Sequence, residues 1–301
     1  MCFGPIKIWT LCSRSLPTEI VMNRQPSSKT SSDNPLDSSS VDAPAGAPDG
    51  LVQIGAAKTH STDAFKDDDP NQPVNANSSP QRLVQWGLER FADQPIVLTS
   101  SYGMEGCVLM DMCSKAIAAA DLQPLTVACI DTGFFFPETK QVRKKLTQKY
   151  TNLNFISWET PVSVEEQREK YGDMLWKNNP NMCCNIRKVQ PMRENIVNYR
   201  VWITALRRSQ TKQRANTQVL SWDWRYQLMK FCPLASLSRA DVWSYIQEHE
   251  VPFNQLHLQG YPSVSCFHCT KQIPGSSPDS EVRDGRWAGK GKTECGLHFS
   301  I

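Results

Sequence analysis

Apolar residues in this chain gather into short runs, and the first run that keeps a regular pattern comes late. Up to about residue 80 the sequence is rich in Ser, Pro, Asp, Asn and Ala, with stretches such as Ser38-Ser39-Ser40 and Pro44-Ala45-Gly46-Ala47-Pro48 and no apolar period. Such a composition cannot bury enough apolar surface to offset the entropy of ordering, so residues 1–80 are predicted to be a disordered extension. From Gln81 the pattern changes. Ile96–Ser100, Leu125–Ile130, Asn154–Trp158 and Val201–Leu206 are apolar runs of strand length. Cys107–Ala120, Pro137–Tyr150 and Val162–Tyr171 have helical length and composition, with Pro137 suited to a first helical turn. Ser238-Arg239-Ala240-Asp241 forms a capping box that starts a helix running to about Glu250. Strands alternating with helices predict an α/β fold, a parallel sheet with helices on both faces. The expected organisation is a domain over 81–275 followed by a mobile C-terminal tail, 276–301.

The chain has 301 residues, 11 cysteines and a formal charge of +3, enough for one large domain or two small ones. The cysteines occur as clustered pairs plus scattered apolar positions, which fits a reducing compartment better than a secreted disulfide scaffold. No apolar run is long enough to span a bilayer. Ile6, Ile8, Trp9 and Leu11 near the start are interrupted by Lys7, with no tidy cleavage site after them; Met22 is an alternative start. A cytoplasmic protein with no membrane partner is expected. The charge is unevenly placed: Arg187, Lys188, Arg193, Arg200, Arg207, Arg208, Lys212 and Arg214 are opposed only by Glu194. Such a run forms either a solvated face or a pocket for an anion.

Candidate chemistry lies in three places. Cys295 stands in Lys292-Thr293-Glu294-Cys295-Gly296-Leu297-His298, where nearby cations favour a nucleophilic thiolate and a chain end favours mobility. Cys183-Cys184 and Cys266-Phe267-His268-Cys269 supply four further thiols. Adjacent cysteines diverge on a regular element, so they suit a polynuclear cluster better than one small ion; a structural zinc site has the same ligand count. Third, ligands of open parallel sheets sit at the carboxyl ends of strands. Those ends carry Ser100-Ser101-Tyr102-Gly103-Met104-Glu105-Gly106, Asp131-Thr132-Gly133 and Arg207-Arg208-Ser209-Gln210, which converge on one anion site.

With Lys188, Gly260-Tyr261-Pro262-Ser263 and Arg283-Asp284-Gly285-Arg286-Trp287, these motifs make the chain, from about Gln81 to His298, resemble the assimilatory adenylyl-sulfate reductases, relatives of the phosphoadenylyl-sulfate reductases. The resemblance implies an adenine-nucleotide α-hydrolase-like fold with a PP-loop-type phosphate turn. It implies Ser101, Gly103, Thr132, Lys188, Arg207, Arg283 and Arg286 around adenylyl sulfate, and Cys295 as the nucleophile that forms an S-sulfocysteine. Cys183, Cys184, Cys266 and Cys269 would hold one 4Fe–4S cluster per chain. Sulfite would be released by thioredoxin or glutaredoxin acting as a separate reductant, since no thioredoxin-like domain follows. Ala205, Gly106 and Ser265 depart from the family's usual residues. The alternatives are a phosphoadenylyl-sulfate reductase, a PP-loop iron–sulfur enzyme of tRNA thiolation, in which the basic run would bind RNA, and a zinc-stabilised binding module. The two cysteine pairs argue against the phosphoadenylyl-sulfate reductase, which keeps the tail but lacks them, and the terminal thiol and short glycine–serine turn argue against the thiolation enzyme, so no nucleic-acid partner is expected.

Overall fold

A computed structural model describes residues 74–298 apart from 282 and 284. The expectation of disorder for residues 1–80 therefore falls outside the described residues up to position 73. From there, Val74 and Ala76 already pack against the core, and Ser79 caps helix α1 (Pro80–Arg90), with Pro80 in its first turn.

The apolar runs become the strands. β1 (Ile96–Thr99), β2 (Leu125–Asp131), β3 (Leu153–Glu159) and β4 (Val201–Thr204) lie in one six-stranded sheet with β5 (Leu220–Asp223) and β6 (Leu228–Phe231), in the order β3-β2-β1-β4-β6-β5. All pairings are parallel except the antiparallel edge pair β5–β6. This hairpin and the α1 helix are additions to the elements expected. Between the strands run α2 (Met104–Ala119), α3 (Pro137–Lys149) and α4 (Val164–Tyr171). α8 (Arg239–Glu248) follows the sheet and starts at the predicted capping box: Ser238 Oγ accepts from Asp241 N at 3.1 Å while Asp241 Oδ2 accepts from Ser238 N at 2.8 Å.

Alternation along each strand decides which face a residue covers. Leu98, Val127, Ile203 and Phe231 face a core shared with α1, α2, α3 and α8. Val97, Ala128, Trp202 and Leu228 face a second core, closed by Met192 and Ile196 of α7 (Gln190–Ile196) and flanked by Leu297 of the C-terminal tail. Both faces are thus buried, which is why the strands read as near-continuous apolar runs.

The stretch from Gly172 to Ile196 folds as α5 (Leu175–Asn178), α6 (Pro180–Cys184), a π-helical turn (Asn185–Val189) and then α7. Asn179 caps α6 through Met182 N at 3.0 Å, and Pro180 fills its first position. Wide π turns occur mostly inside helices and frequently at functional sites, and this one, directly after the Cys183-Cys184 pair, carries Lys188.

β1 lies between β2 and β4, so the chain winds outward on one side and then crosses to the other. The crevice at the carboxyl ends of β1 and β4 is where such sheets bind ligands. The β1–α2 turn there is tightly built. Tyr102 adopts a left-handed backbone (φ 59°), and Ser100 Oγ accepts from its N–H at 3.0 Å. A Cβ on Gly106 would stand 2.3 Å from Ser100 Oγ, so the glycine that departs from the family pattern is required by the serine beside it. Gly106→Ala should therefore displace Ser100 and destabilise the protein by about 1–3 kcal/mol in urea unfolding, as overpacking does elsewhere; Ser100→Gly in the same chain should recover most of that loss.

Candidate active site

α2 starts at Gly103 with no side-chain cap, so the first N–H groups of a 16-residue helix are left facing the crevice. The cleft in front of it encloses about 1210 Å³, counting its open mouth. It is lined by Ser101, Gly103 and Thr132 from the strand ends, and by Lys188, Arg207, Arg283, Arg286 and Cys295. The structure therefore gathers every residue expected around the substrate onto one cavity.

Their roles differ from one another. Arg207 is 1 % exposed, and its guanidinium is committed: Nε and Nη2 donate to Glu105 Oε1 at 3.2 and 2.9 Å, Nη2 donates to Glu281 Oε1 at 2.8 Å, and Nη1 donates to Ser209, Glu281 and the Leu237 carbonyl. Arg239, which the sequence reading passed over, also donates to Glu105 Oε1, at 2.8 Å. Burial alone would raise the Glu105 carboxyl; Arg239 and Arg207 overcome it and hold it well below its ordinary value. Arg207 thus works as a buried strut. By contrast, Arg283 and Arg286 make no side-chain hydrogen bond or ion pair among the described residues, and the Nε of each is buried without a partner. Burial, with Arg214 and Arg286 alongside, pulls Arg283 down to about 10. Two crowded, unpaired guanidinium groups in a cleft form a site for an anion.

The basic run divides accordingly. Lys188, Arg207 and Arg214 turn inward, while Arg193, Arg200 and Lys212 are exposed as a solvated face would have them. Arg187 is buried for structural reasons, donating to Gln167 Oε1 at 2.7 Å and to the Ser163 carbonyl.

Beside the cleft lies a smaller cavity, lined by Cys183, Cys184, Cys266 and Cys269 together with Phe134, Trp176 and His268. His268 stacks on Trp176 with ring centroids 3.7 Å apart. The Cys266 turn is pinned to the β2–α3 loop by Phe267 N donating to the Phe134 carbonyl at 2.9 Å. All four thiols are free of disulfides. The four sulfurs line this one cavity, though among the described residues no three His, Cys, Asp or Glu side chains are gathered as a single metal ion requires. Burial, with the other thiols beside it, raises Cys183 to about 12, and burial raises Cys184 to about 11. Cys266 is the exception: burial would raise it, but Lys188, Thr132, Arg286 and Ser265 outweigh that and lower it.

Thr132 illustrates a link the motif did not reveal. Its Oγ1 accepts from Phe134 N at 3.2 Å and lies 3.3 Å from Cys266 Sγ, a contact in which either group can donate. Lys188 lines both cavities and donates to Ser265 Oγ at 3.1 Å. Ser265, the residue that replaces a usual glycine, is what holds this lysine between them. Trp287 also lines both.

The tail is docked. Cys295 is half-buried at the cleft, and His298 stacks on Trp202 with centroids 4.9 Å apart.

Fold and site together define an α/β nucleotide-type anion site with a cysteine brought to it. A family model described as "Phosphoadenosine phosphosulfate reductase domain" matches residues 95–272. Relatives named adenosine 5'-phosphosulfate reductase are 40% identical over 217 residues in Bacillus anthracis, covering 72% of this chain and 92% of the relative. In Lysinibacillus sphaericus a relative of the same name is 40% identical over 216 residues, covering 72% and 89%. A crystal structure of phosphoadenylyl-sulfate (PAPS) reductase from Candida auris, in a phosphate complex, aligns with TM-score 0.53 at 27% identity, covering 64% of this chain and 90% of that one. The chain belongs to the phosphoadenosine phosphosulfate reductase family.

The Glu105 knot has a pH signature. A carboxyl lowered in the folded state contributes stability that is complete above its ordinary value of 4.5 and is lost as the pH falls through the depressed folded value. Glu105→Gln leaves two buried arginines short of a counter-charge and should cost about 3–5 kcal/mol at neutral pH. Denaturant titrations should show a smaller loss on acidification in the variant than in the parent protein.

Proposed function

We propose that this chain reduces adenosine 5'-phosphosulfate to sulfite and AMP through a covalent intermediate on Cys295. The observation that carries this reading is the meeting of a half-buried thiol with Lys188, Arg283 and Arg286 on one cleft, at the uncapped start of α2. The thiolate of Cys295 attacks the sulfate sulfur. A sulfur–sulfur bond forms, the bond from sulfur to the bridging oxygen breaks, and AMP leaves with that electron pair. The cations screen the approach of two anions and stabilise charge on the departing phosphate. A dithiol protein of the thioredoxin or glutaredoxin class then attacks Cys295 Sγ. Sulfite leaves, the dithiol becomes a mixed disulfide, and its second thiol closes the disulfide and returns Cys295 reduced.

The four cavity thiols fit a 4Fe–4S cluster: they are unbridged, share one cavity, and match in number the thiolate ligands a cubane takes. Cys183, Cys184, Cys266 and Cys269 would hold it, and bound there it would supply charge beside the sulfate site. Lys188 lines both cavities and Thr132, on the cleft, shares a hydrogen bond with Cys266, so the chain's own groups couple one to the other.

Anaerobic incubation with adenosine 5'-phosphosulfate and reduced thioredoxin should yield sulfite, with about four irons per chain as a cubane with four thiolate ligands requires. Sulfite formed only from the 3'-phosphorylated substrate would overturn the substrate assignment. Cys295→Ser should abolish sulfite release while iron content and nucleotide binding persist; turnover by that variant would refute the nucleophile. Arg283→Ala and Arg286→Ala should each lower kcat/KM by about a hundredfold or more, the usual effect of removing one group that stabilises developing charge, with iron retained.

A further inference from the structure

Six of the seven residues from Lys292 to His298 have their own anchor, and the exception is Cys295. Lys292 Nζ donates to Asn181 Oδ1, and Gln213 Nε2 donates to Thr293 Oγ1 at 3.0 Å, both at exposed positions. Glu294 is different. It is 5 % exposed, and its carboxylate accepts from Arg214 Nε at 2.7 Å and Nη2 at 2.6 Å, and from Thr211 Oγ1 at 3.0 Å. Beyond the cysteine, the Gly296 carbonyl accepts from Arg225 Nη1 at 2.6 Å and the Leu297 carbonyl from Tyr226 Oη at 3.2 Å. Gly296 itself has φ 90°, a left-handed turn directly after the thiol.

We propose that Glu294 and Arg214 form a latch that seats Cys295 in the cleft for sulfur transfer and must release before the reductant can reach it. They are positioning residues, acting through the cysteine next to Glu294; the proposal rests on the reading of Cys295 as the nucleophile. Chain ends fray unless tied down. A two-pronged arginine–carboxylate pair is among the strongest and most directional of side-chain contacts. Placed one residue before Cys295, it sets both the depth and the register of the thiol. Carbonyl contacts to Arg225 and Tyr226 hold the far side, but they recognise only backbone and would serve a tail shifted by a residue. A docked tail suits attack on a small anion inside the cleft. It does not suit attack by a protein dithiol, which must meet Cys295 Sγ in line from outside. The latch therefore closes for one half-reaction and opens for the other.

The latch also changes the charge of the cleft. Arg214 lies among the groups that depress Arg283, and Glu294 is the carboxylate that offsets them. With residues 292–298 out, Arg214, Arg283 and Arg286 face the cleft without Glu294, which favours entry of an anionic substrate. With the tail in, Glu294 occupies Arg214 and leaves Arg283 and Arg286 for the sulfate end.

The test uses the full chain with its metal and reads the tail separately from turnover. Cys295 is alkylated with iodoacetamide and followed by mass spectrometry, and S-sulfocysteine formation is followed in a single turnover with no reductant. Glu294→Gln should speed alkylation by about tenfold, one charge-assisted contact's worth of closure. It should lower the single-turnover rate by a similar factor, while KM for the nucleotide shifts far less. Arg214→Lys, which keeps the charge but loses the fork, should fall between. The exchange Glu294→Arg with Arg214→Glu should recover part of the protection that either single change removes. Unchanged alkylation in Glu294→Gln, or a drop in melting temperature without faster alkylation, overturns the latch. Faster alkylation in chains that never form the adduct would uphold the latch and sink the assignment of Cys295 as nucleophile.

Discussion

The arrangement depends on holding six cations around one cleft without letting them drive each other apart. Lys188, Arg207, Arg214, Arg239, Arg283 and Arg286 all line it. Their mutual repulsion is offset by carboxylates placed at chosen members only. Glu105 and Glu281 take Arg207, Glu105 also takes Arg239, and Glu294 takes Arg214. What remains is Lys188, Arg283 and Arg286, with no ion pair among the described residues. The paired arginines are struts: Arg207 ties the end of β4 to the first turn of α2 and, through Glu281, to the segment leading to the tail. The unpaired cations are the ones free to meet a ligand. This division explains why truncating a strut should unfold the cleft and truncating a free arginine should only empty it.

The same logic explains which features were legible in the sequence. β1 to β4 and the helices between them follow from apolar runs and caps, because both faces of the sheet are buried and a buried strand leaves a plain signal. The β5–β6 hairpin leaves none: its turn, Trp224 to Gln227, has no glycine or proline, and is made instead by Asp223 Oδ1 accepting from Arg225 N and Tyr226 N, with Gln227 at φ 55°. α1 did carry local signals, Ser79 as cap, Pro80 in the first turn and Leu83, Val84 and Leu88 on one face, while Gly87, which breaks that face, is set by Phe231 more than a hundred residues away.

For the site, residue types marked the place and only the fold revealed the roles. Arg207 and Arg283 look alike in sequence; nothing local tells that Glu105 and Glu281 consume the first and leave the second. Arg239 carried no motif at all beyond its place in a helix cap, yet it is half of the reason Glu105 stays ionised. Two departures from the expected pattern turn out to be consistent choices. Gly106 is demanded by the Ser100 hydroxyl that shapes the β1–α2 turn, and Ser265 supplies the acceptor that fixes Lys188 between the cleft and the thiol cavity.

That lysine shows how the two cavities act as one site. Burial would lower the pKa of Lys188, but Cys266, Cys295 and Cys184 hold it above its ordinary value. The same Lys188 is the strongest influence pulling Cys266 down. A cation so placed cannot be altered for one cavity without altering the other. A group held by the thiols would change how much of the lysine's charge is felt at the cleft, and an anion in the cleft would draw that charge the other way. The tail adds the third party, since Cys295, docked beside the Glu294–Arg214 pair, is among the groups that raise Lys188. Charge at the thiol cavity, charge in the cleft and closure of the tail are therefore linked through a single buried amine. Its position is fixed by the π-helical turn that follows Cys183 and Cys184, and by one serine hydroxyl.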